Sequence, residues 1–341
     1  GLEHLIPQEI KFSGYDVDTE NTFTKTFKKG QILFGRRRAY LKKAAIADFD
    51  GICSGDITVI EAIPGKVDPL LLPFIIQNDK FFDYAVSRSA GGLSPRVKWE
   101  HLKDYEFDLP PIEEQRILAD KLWAAYRLKE SYKKLLTATQ EMVKSQFIEI
   151  FYGMETTPVK DYIDDSFPGE WGTEDKDGNG VKVIRTTNFT NSGKLNLADV
   201  VTRSIEDRKV VRKQIKKYDT ILERSGGTAD NPVGRVVLFE EDNLFLCNNF
   251  TQVLRFKDVD PRFAFYALYY FYQTNRTAIR SMGSKTTGIQ NLNMSKYLEI
   301  GIPNASDEDQ KAFVTIAEQA DKSEFELKQC IENIDKVIKS L

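Results

Sequence analysis

Five short blocks of this sequence occur twice in the same order, and that duplication limits the fold more than any other feature. Phe27-Lys28-Lys29-Gly30-Gln31-Ile32-Leu33 lines up with Ile215-Lys216-Lys217-Tyr218-Asp219-Thr220-Ile221-Leu222, allowing one inserted residue. Asp68-Pro69 matches Asp260-Pro261, each followed by an aromatic, apolar stretch, and Ser89-Ala90-Gly91-Gly92 matches Ser281-Met282-Gly283-Ser284. Tyr105-Glu106-Phe107-Asp108-Leu109-Pro110 matches Leu298-Glu299-Ile300-Gly301-Ile302-Pro303. Glu114-Gln115 and Asp309-Gln310 then open long helical patterns. A repeat of this kind means one supersecondary programme used twice, here a globular domain followed by a long helix.

The helices follow from periodicity. Phe313, Ala317, Ala320, Glu324, Leu327, Ile331, Ile334, Ile338 and Leu341 keep an unbroken 4-3 spacing, the stripe of a coiled-coil helix in which only Glu324 is out of character. Leu118, Leu122, Ala125, Tyr132, Leu136, Val143 and Ile150 make a less regular stripe between Pro111 and Gly153, residues that punctuate helix starts and ends. Two apolar stripes on one chain most economically cover each other, so an antiparallel pair is expected. At ~1.5 Å per residue such a helix spans roughly 55 Å. Strands are expected at residues 45–47, 57–60, 181–184, 235–239 and 252–256, and shorter helices near 74–86 and 263–279. The expected class is α/β in a mixed α+β form: two similar domains, at 1–110 and 153–303, and two long antiparallel coiled-coil helices, at 111–152 and 304–341, related by a pseudo-two-fold internal repeat. About 27 residues precede Lys28 in the first copy, against about sixty between Gly153 and Lys216, so the first domain reads as N-terminally abbreviated.

Composition narrows the function. With 41% hydrophobic and 29% charged residues the chain is a folded one, and no apolar run approaches the roughly 20 residues that span a bilayer. Gly1-Leu2-Glu3-His4 resembles no export signal, and the expected compartment is cytoplasmic. Three scattered cysteines and two histidines, His4 and His101, offer no disulfide framework or metal-ligand spacing. Asp175-Lys176-Asp177-Gly178-Asn179-Gly180 imitates the start of a calcium loop, but position twelve is Thr186 rather than Glu, which favours a β-turn. Asn231-Pro232-Val233-Gly234 departs from the Asn-Pro-Pro-Tyr of amino-methyltransferases at its last two residues, and no glycine-rich methyl-donor site or phosphate loop accompanies it. No catalytic residue, metal or cofactor is expected in this chain.

The formal net charge is -3, weakly against a nucleic-acid binder, yet the charge is unevenly spread. Lys25, Lys28, Lys29, Arg36, Arg37, Arg38, Lys42 and Lys43 form a run without an acid, with Tyr40 among them, and Arg208, Lys209, Arg212, Lys213, Lys216 and Lys217 form another. Guanidinium forks suit phosphate or guanine. Arg224 and Asn231 lie at the place in the second copy that Arg36, Arg37 and Arg38 occupy in the first. The paired loops carrying Arg88 and Arg96, and Arg280, Lys285, Gln290 and Asn291, are glycine-rich, cationic and acid-free, as phosphate-binding backbone requires. Each of these stretches is also compatible with a solvated loop. Trp123, Tyr126 and Phe147 stand off the helix seam as partner-docking candidates, the competing reading being that they pack on the adjacent domains.

Leu109-Pro110-Pro111-Ile112-Glu113-Glu114-Gln115, its weaker counterpart from Ile302-Pro303 to Asp309-Gln310, Gly30-Gln31-Ile32-Leu33-Phe34-Gly35, Ala45-Ile46-Ala47 and Gly51-Ile52-Cys53-Ser54 resemble the specificity subunit of type I restriction-modification enzymes. The match covers essentially the whole chain, with Pro303-Asn304-Ala305-Ser306 departing from the consecutive prolines of the first copy. The resemblance implies that each domain is a target-recognition domain reading one half of a bipartite double-stranded DNA target, and that the helices set the unread spacer. It implies two docked modification subunits carrying S-adenosylmethionine, and restriction subunits bringing ATP- and Mg-dependent cleavage. A protein- or RNA-binding scaffold is the competing reading.

Overall fold

The computed structural model describes residues 1–341 apart from 13, 18–19, 229, 287–288 and 341, and apart from the side chains of 285 and 286. Contacts divide the chain into two compact units, Gly1–Ala138 with Glu324–Leu341, and Thr139–Ser323.

The first unit contains β1 (Lys25–Phe27), β2 (Ile32–Gly35), β3 (Ala44–Ile46), β4 (Gly51–Cys53), β5 (Ile57–Ile60), α1 (Leu72–Gln77), α2 (Asp79–Ser87) and α3 (Trp99–Leu102), followed by most of the long helix α4 (Ile112–Phe151). Strand β2 pairs antiparallel with β3 and β5. Its side chains alternate between two cores, as a strand's must. Ile32 and Phe34 pack with Leu72, Ile76, Phe81 and Phe82, whereas Leu33 packs with Leu5, Phe27, Cys53 and Ile57. Covered on both faces, β2 is buried along its length. Leu71 and, from helix α1, Phe74 and Ile75 pack onto Ala119, Leu122 and Tyr126 of α4.

The second unit continues with β6 (Thr156–Pro158), β7 (Ile163–Pro168), β8 (Thr173–Glu174), β9 (Val181–Ile184), β10 (Val201–Ser204), α5 (Asp207–Lys213), β11 (Thr220–Glu223), β12 (Ser225–Gly226), β13 (Val236–Leu238), β14 (Phe245–Cys247), β15 (Thr251–Phe256), α6 (Pro261–Thr274), α7 (Arg276–Met282), β16 (Gly283–Thr286), β17 (Ile289–Leu292), α8 (Met294–Tyr297), β18 (Gly301–Pro303) and the first half of α9 (Asp307–Lys339), whose residues from Glu324 on belong to the first unit. Its main sheet runs β13-β11-β15-β7, so β11 stands between β13 and β15 as β2 stands between β3 and β5. The sheet β14-β9-β10-β8 is built largely from residues ahead of β11, where the first copy is shorter.

The repeat is visible bond by bond. The Gly30 and Tyr218 amides donate to the Ala47 and Phe239 carbonyls, at 2.7 and 2.6 Å, and Ala47 and Phe239 donate back to Gln31 and Asp219. Gln31 Oε1 accepts from the Lys28 amide and Asp219 Oδ2 from the Lys216 amide, both at 2.8 Å. Gly30 has φ +88° and Tyr218 φ +69°. These equivalences run through without a gap, so the inserted residue expected between the copies does not exist: Ile32 corresponds to Thr220. The two expected short helices are each broken, at Asn78 and at Asn275.

Segments of the long helices pack within each unit. In the first, Lys129 Nζ meets Asp335 Oδ1 at 2.6 Å. In the second, the Phe147 and Phe151 rings lie 5.1 and 5.7 Å from Phe313. Within the first unit Ile338 packs against the cluster of Leu122 and Tyr126 while Asp335 meets Lys129, so the two helix segments run antiparallel there. The seam of α4 turns from Val143 to Phe147 and Phe151, i+4 steps, and leaves Ile150 41% exposed, contrary to the expected stripe. Glu324, the polar member of the α9 stripe, lies 3.5 Å from Lys328 one turn on; Leu341 lies outside the described residues. Among the described residues no helix is long and apolar enough to cross a membrane. The three cysteines are free, and burial pushes the Cys247 thiol up to about 11.

Candidate nucleic-acid interface

In each unit the two loops singled out by the sequence meet, and the same backbone bonds join them. In the first unit the Arg36 amide donates to the Asp56 carbonyl at 2.9 Å, and the Arg36 carbonyl accepts from the Val97 amide at 3.0 Å. In the second, the Arg224 amide donates to the Phe250 carbonyl at 2.9 Å, and its carbonyl accepts from the Leu292 amide at 2.8 Å. Arg37 is thereby bridged to Arg96, and Ser225 to Asn291. Position 37 corresponds to 225, 96 to 291, and 56 to 250.

The side chains differ. Asp56 accepts from Arg96 Nε at 2.7 Å and Nη2 at 3.2 Å, and from Arg37 Nη1 at 3.4 Å, while Arg37 Nη2 reaches Ser94 Oγ at 3.2 Å. The Arg96 hydrogen bonds, opposed by partial burial and joined by the Arg96 and Arg37 charges, hold the Asp56 carboxyl below the usual carboxylate range. The Nε atoms of Arg36 and Arg37 are enclosed without a hydrogen-bond partner among the described residues. Arg38 is exposed at φ +53°, its amide donating to the Pro95 carbonyl at 2.8 Å. Tyr40 is 51% exposed. Arg88 lies over the Tyr84 ring at 5.5 Å.

The acid-free run is not one patch. Lys28 and Lys29 precede β2 and Arg36 follows it, so four strand residues, at about 3.3 Å each, hold the two groups at opposite ends. Lys42 Nζ is drawn to Asp79 Oδ1 at 2.6 Å, and Lys43 Nζ to the Leu2 carbonyl at 2.9 Å. Distant acids also meet much of the second run: Arg212 pairs with Asp165, Lys213 and Lys209 with Glu170, and Lys217 with Asp242.

In the second unit β12 pairs with β17, and Ser225 Oγ donates to Asn291 Oδ1 at 2.8 Å. Arg224 Nη1 donates to Gln252 Oε1 at 3.3 Å. Gly227 has φ +63°, and a Cβ there would stand 2.8 Å from the Val233 nitrogen and 3.0 Å from Gln290 Oε1, so the two loops close up only around glycine. Asn231 closes a turn, its amide donating to Thr228 Oγ1 at 3.0 Å and its carbonyl accepting from the Thr228 amide at 2.7 Å. Arg280 is exposed in the last turn of α7; the Lys285 side chain lies outside the described residues. Behind the loop, Glu223, 2% exposed, accepts from Arg235 Nε at 2.7 Å.

The docking aromatics do not stand off the seam. Tyr126 and Phe147 are buried, 3% and 8% exposed, and Trp123 packs edge-on to Phe74 while Nε1 donates to the Leu70 carbonyl at 2.8 Å. Each satisfies the core of its own unit. The exposed apolar residues of α4 in the first unit are Ile117, Leu128 and Leu135, on one face because steps of 11 and 7 residues return to nearly the same angle. The Asp175 loop is a tight turn whose carboxyl is held low by the Thr202 hydroxyl, against slight desolvation, and by the amides of Gly180, Gly178 and Asn179. Glu3, His4 and Asp16 also converge, an arrangement accounted for by the His4–Asp16 contact at 3.3 Å.

The family described as type I restriction modification DNA specificity domain matches residues 8–138 and again residues 166–336. The chain belongs to this family. It is 27% identical over 179 residues to the type I restriction enzyme EcoDI specificity subunit of Escherichia coli, a match spanning 49% of this chain and 40% of that protein's length. The fold is similar to that of the type I restriction-modification system S subunit from M. genitalium, with TM-score 0.55 and 13% identity over 99% of this chain and 90% of that one. It is similar also to a chain in a structure on complex assembly and conformational transition of the type I R-M system, with TM-score 0.56 and 18% identity over 95% and 83%. The doubled family match falls on the two copies read from the sequence. Asp56 is absent from the residues expected at this site, because it lies outside both cationic runs. The antiparallel pairing of residues 32–35 with 57–60 was the available signal, since it sets Asp56 beside Arg36.

Proposed function

We propose that this chain is the sequence-specific DNA-recognition subunit of a type I restriction-modification complex, each loop pair meeting one half of a bipartite double-stranded target. The observation that carries this is the repeated joint at Arg36 and Arg224, where identical backbone bonds present different side chains, as two readers of different sequence require. Phosphate contacts would position the chain, from exposed groups such as Arg38, and polar side chains between the joined loops would meet base edges. The chain itself is non-catalytic and acts in the cytoplasm in this reading. Two modification subunits would dock on the long helices, carrying S-adenosylmethionine, and restriction subunits would carry ATP and Mg.

Duplex binding across a salt series tests it. Log affinity should fall linearly with log salt, and a preferred duplex should outlast unrelated ones as salt rises. Affinity independent of salt would refute it. A protein- or RNA-binding scaffold is the second reading, favoured by the neutralisation of the run from Arg208 to Lys217; it predicts that single-stranded RNA or an acidic protein competes better than any duplex.

A further inference from the structure

Asp56 and the two arginines it holds have no counterpart at the equivalent joint, where Phe250, Ser225 and Asn291 stand. The geometry of Arg96 is unusual for a residue that serves only as a positive charge. Its Nε and one Nη2 proton are taken by the two oxygens of Asp56. That leaves the end edge, one N–H on Nη1 and one on Nη2, pointing away from the carboxylate in parallel. The side chain is 42% exposed and Asp56 21%. Two parallel donors on a fixed plane match O6 and N7 on the major-groove edge of guanine. A phosphate anchor needs charge and tolerates a free side chain, but Asp56 cancels much of the charge while fixing the plane. Arg38, exposed beside it, has the opposite character.

We propose that Arg96 reads a guanine in the half-site met by the first unit, with Asp56 as the positioning residue and Arg37 holding Asp56 from the other side. This rests on the DNA-recognition reading above. The absence of the trio from the second unit confines the effect to one half of the target.

The test is selection of full-length protein on a library of randomised duplexes, followed by sequencing, with thermal unfolding of each variant as a folding control. Wild-type protein should enrich two separated blocks, one containing a guanine that depends on Arg96. Arg96→Lys keeps the charge and the ion pair with Asp56 but cannot make two parallel bonds. It should reduce that one guanine preference on the order of 10- to 100-fold, leaving the other block and the affinity for unrelated duplexes unchanged. Asp56→Ala should weaken the same preference yet raise affinity for unrelated duplexes, because it frees a guanidinium charge; a mere loop staple would lower both. A wild-type guanine preference in Arg96→Lys, or an even loss across all positions, overturns the proposal while leaving the DNA-recognition reading standing. If wild-type protein enriches no sequence, that reading fails and this one with it.

Discussion

The Asp68 amide donates to Gln115 Oε1 at 2.9 Å, while Gln115 Nε2 donates to the Pro110 and Lys66 carbonyls at 2.9 and 3.0 Å. One carboxamide therefore ties the start of α4 to the Asp-Pro turn and to the segment before it, in a site only 2% exposed. Gln310 does the same in the second unit, accepting from the Asp260 amide at 2.9 Å and donating to the Ala305 carbonyl at 2.9 Å. The acid-Gln pair that opens both helices is thus explained by its second member, which must accept and donate at once.

Gln115→Leu should be costly, because it leaves buried backbone donor and acceptor groups unpaired at about 1–3 kcal/mol each. The expected loss is about 3 kcal/mol in urea denaturation. Gln115→Glu should also destabilise, since a carboxylate cannot donate to the two carbonyls. Wild-type stability in either variant would show the tie to be incidental.

Where residue type follows directly from backbone or periodicity, the sequence revealed the fold: the five expected strands, which fall on β3, β5, β9, β13 and β15, and the α9 seam at Phe313, Ala317 and Ala320 were readable, whereas the Gln ties and the small sheets β18-β6 and β12-β17-β16 were not. The register of the first block was not, because matching Ile-Leu to Ile-Leu required an insertion that the turn forbids. Tyr218 occupies the positive-φ site that Gly30 fills, an uncommon choice for a bulky residue, so the shared turn does not show in the residue types. A heptad count through Ile150 puts Phe147 off the seam, yet the helix buries the i+4 neighbours Val143, Phe147 and Phe151 instead, which is the competing reading of packing on the adjacent domain. Of the candidate site, only the joining of the loops can be set against the structure. Composition marks the loops that the backbone bonds join, but Asp56 and the acids that capture Lys42, Lys213 and Lys217 come from distant chain and are visible only once the chain is folded.

The depressed Asp56 carboxyl gives the first unit a specific acid sensitivity. A carboxylate whose folded pKa lies below the unfolded value, about 3.9, contributes stability that is complete above that value. The contribution is lost as pH falls through the folded pKa. Comparing Asp56→Asn with wild type, a stability gap of about 1 kcal/mol after solvent screening should stand at pH 7 and close below about pH 4. A gap that persists unchanged into strong acid would remove the electrostatic account of how Asp56 holds the loops.

The exposed face of α4 carries the proposed docking of partner subunits. Ile117 and Leu128 are 57% and 45% exposed, so Leu128→Glu should leave unfolding within about 0.5 kcal/mol of wild type, as ordinary surface substitutions do. Co-purification with modification subunits should nevertheless be lost, because a carboxylate would be buried without a partner at the contact. Undiminished co-purification would move the docking surface elsewhere.

Arg38 separates positioning from reading. Its side chain is exposed, and its backbone rather than its guanidinium holds the loop, through the amide bond to Pro95 and the carbonyl bond from Leu41 at 2.9 Å. Arg38→Ala therefore removes a charge without removing a structural contact, and both residues bear the same cost of a positive φ. If Arg38 lies against a phosphate, the variant should bind preferred and unrelated duplexes more weakly alike, with the slope of log affinity against log salt shallower by roughly one unit. Its base preferences at every selected position should match wild type, in contrast to Arg96→Lys, which should keep the slope and lose one base. A reduced preference at a single position would make Arg38 a reader instead, and an unchanged slope would place it away from the DNA, leaving the joined loops without the charge that holds them in register on the duplex.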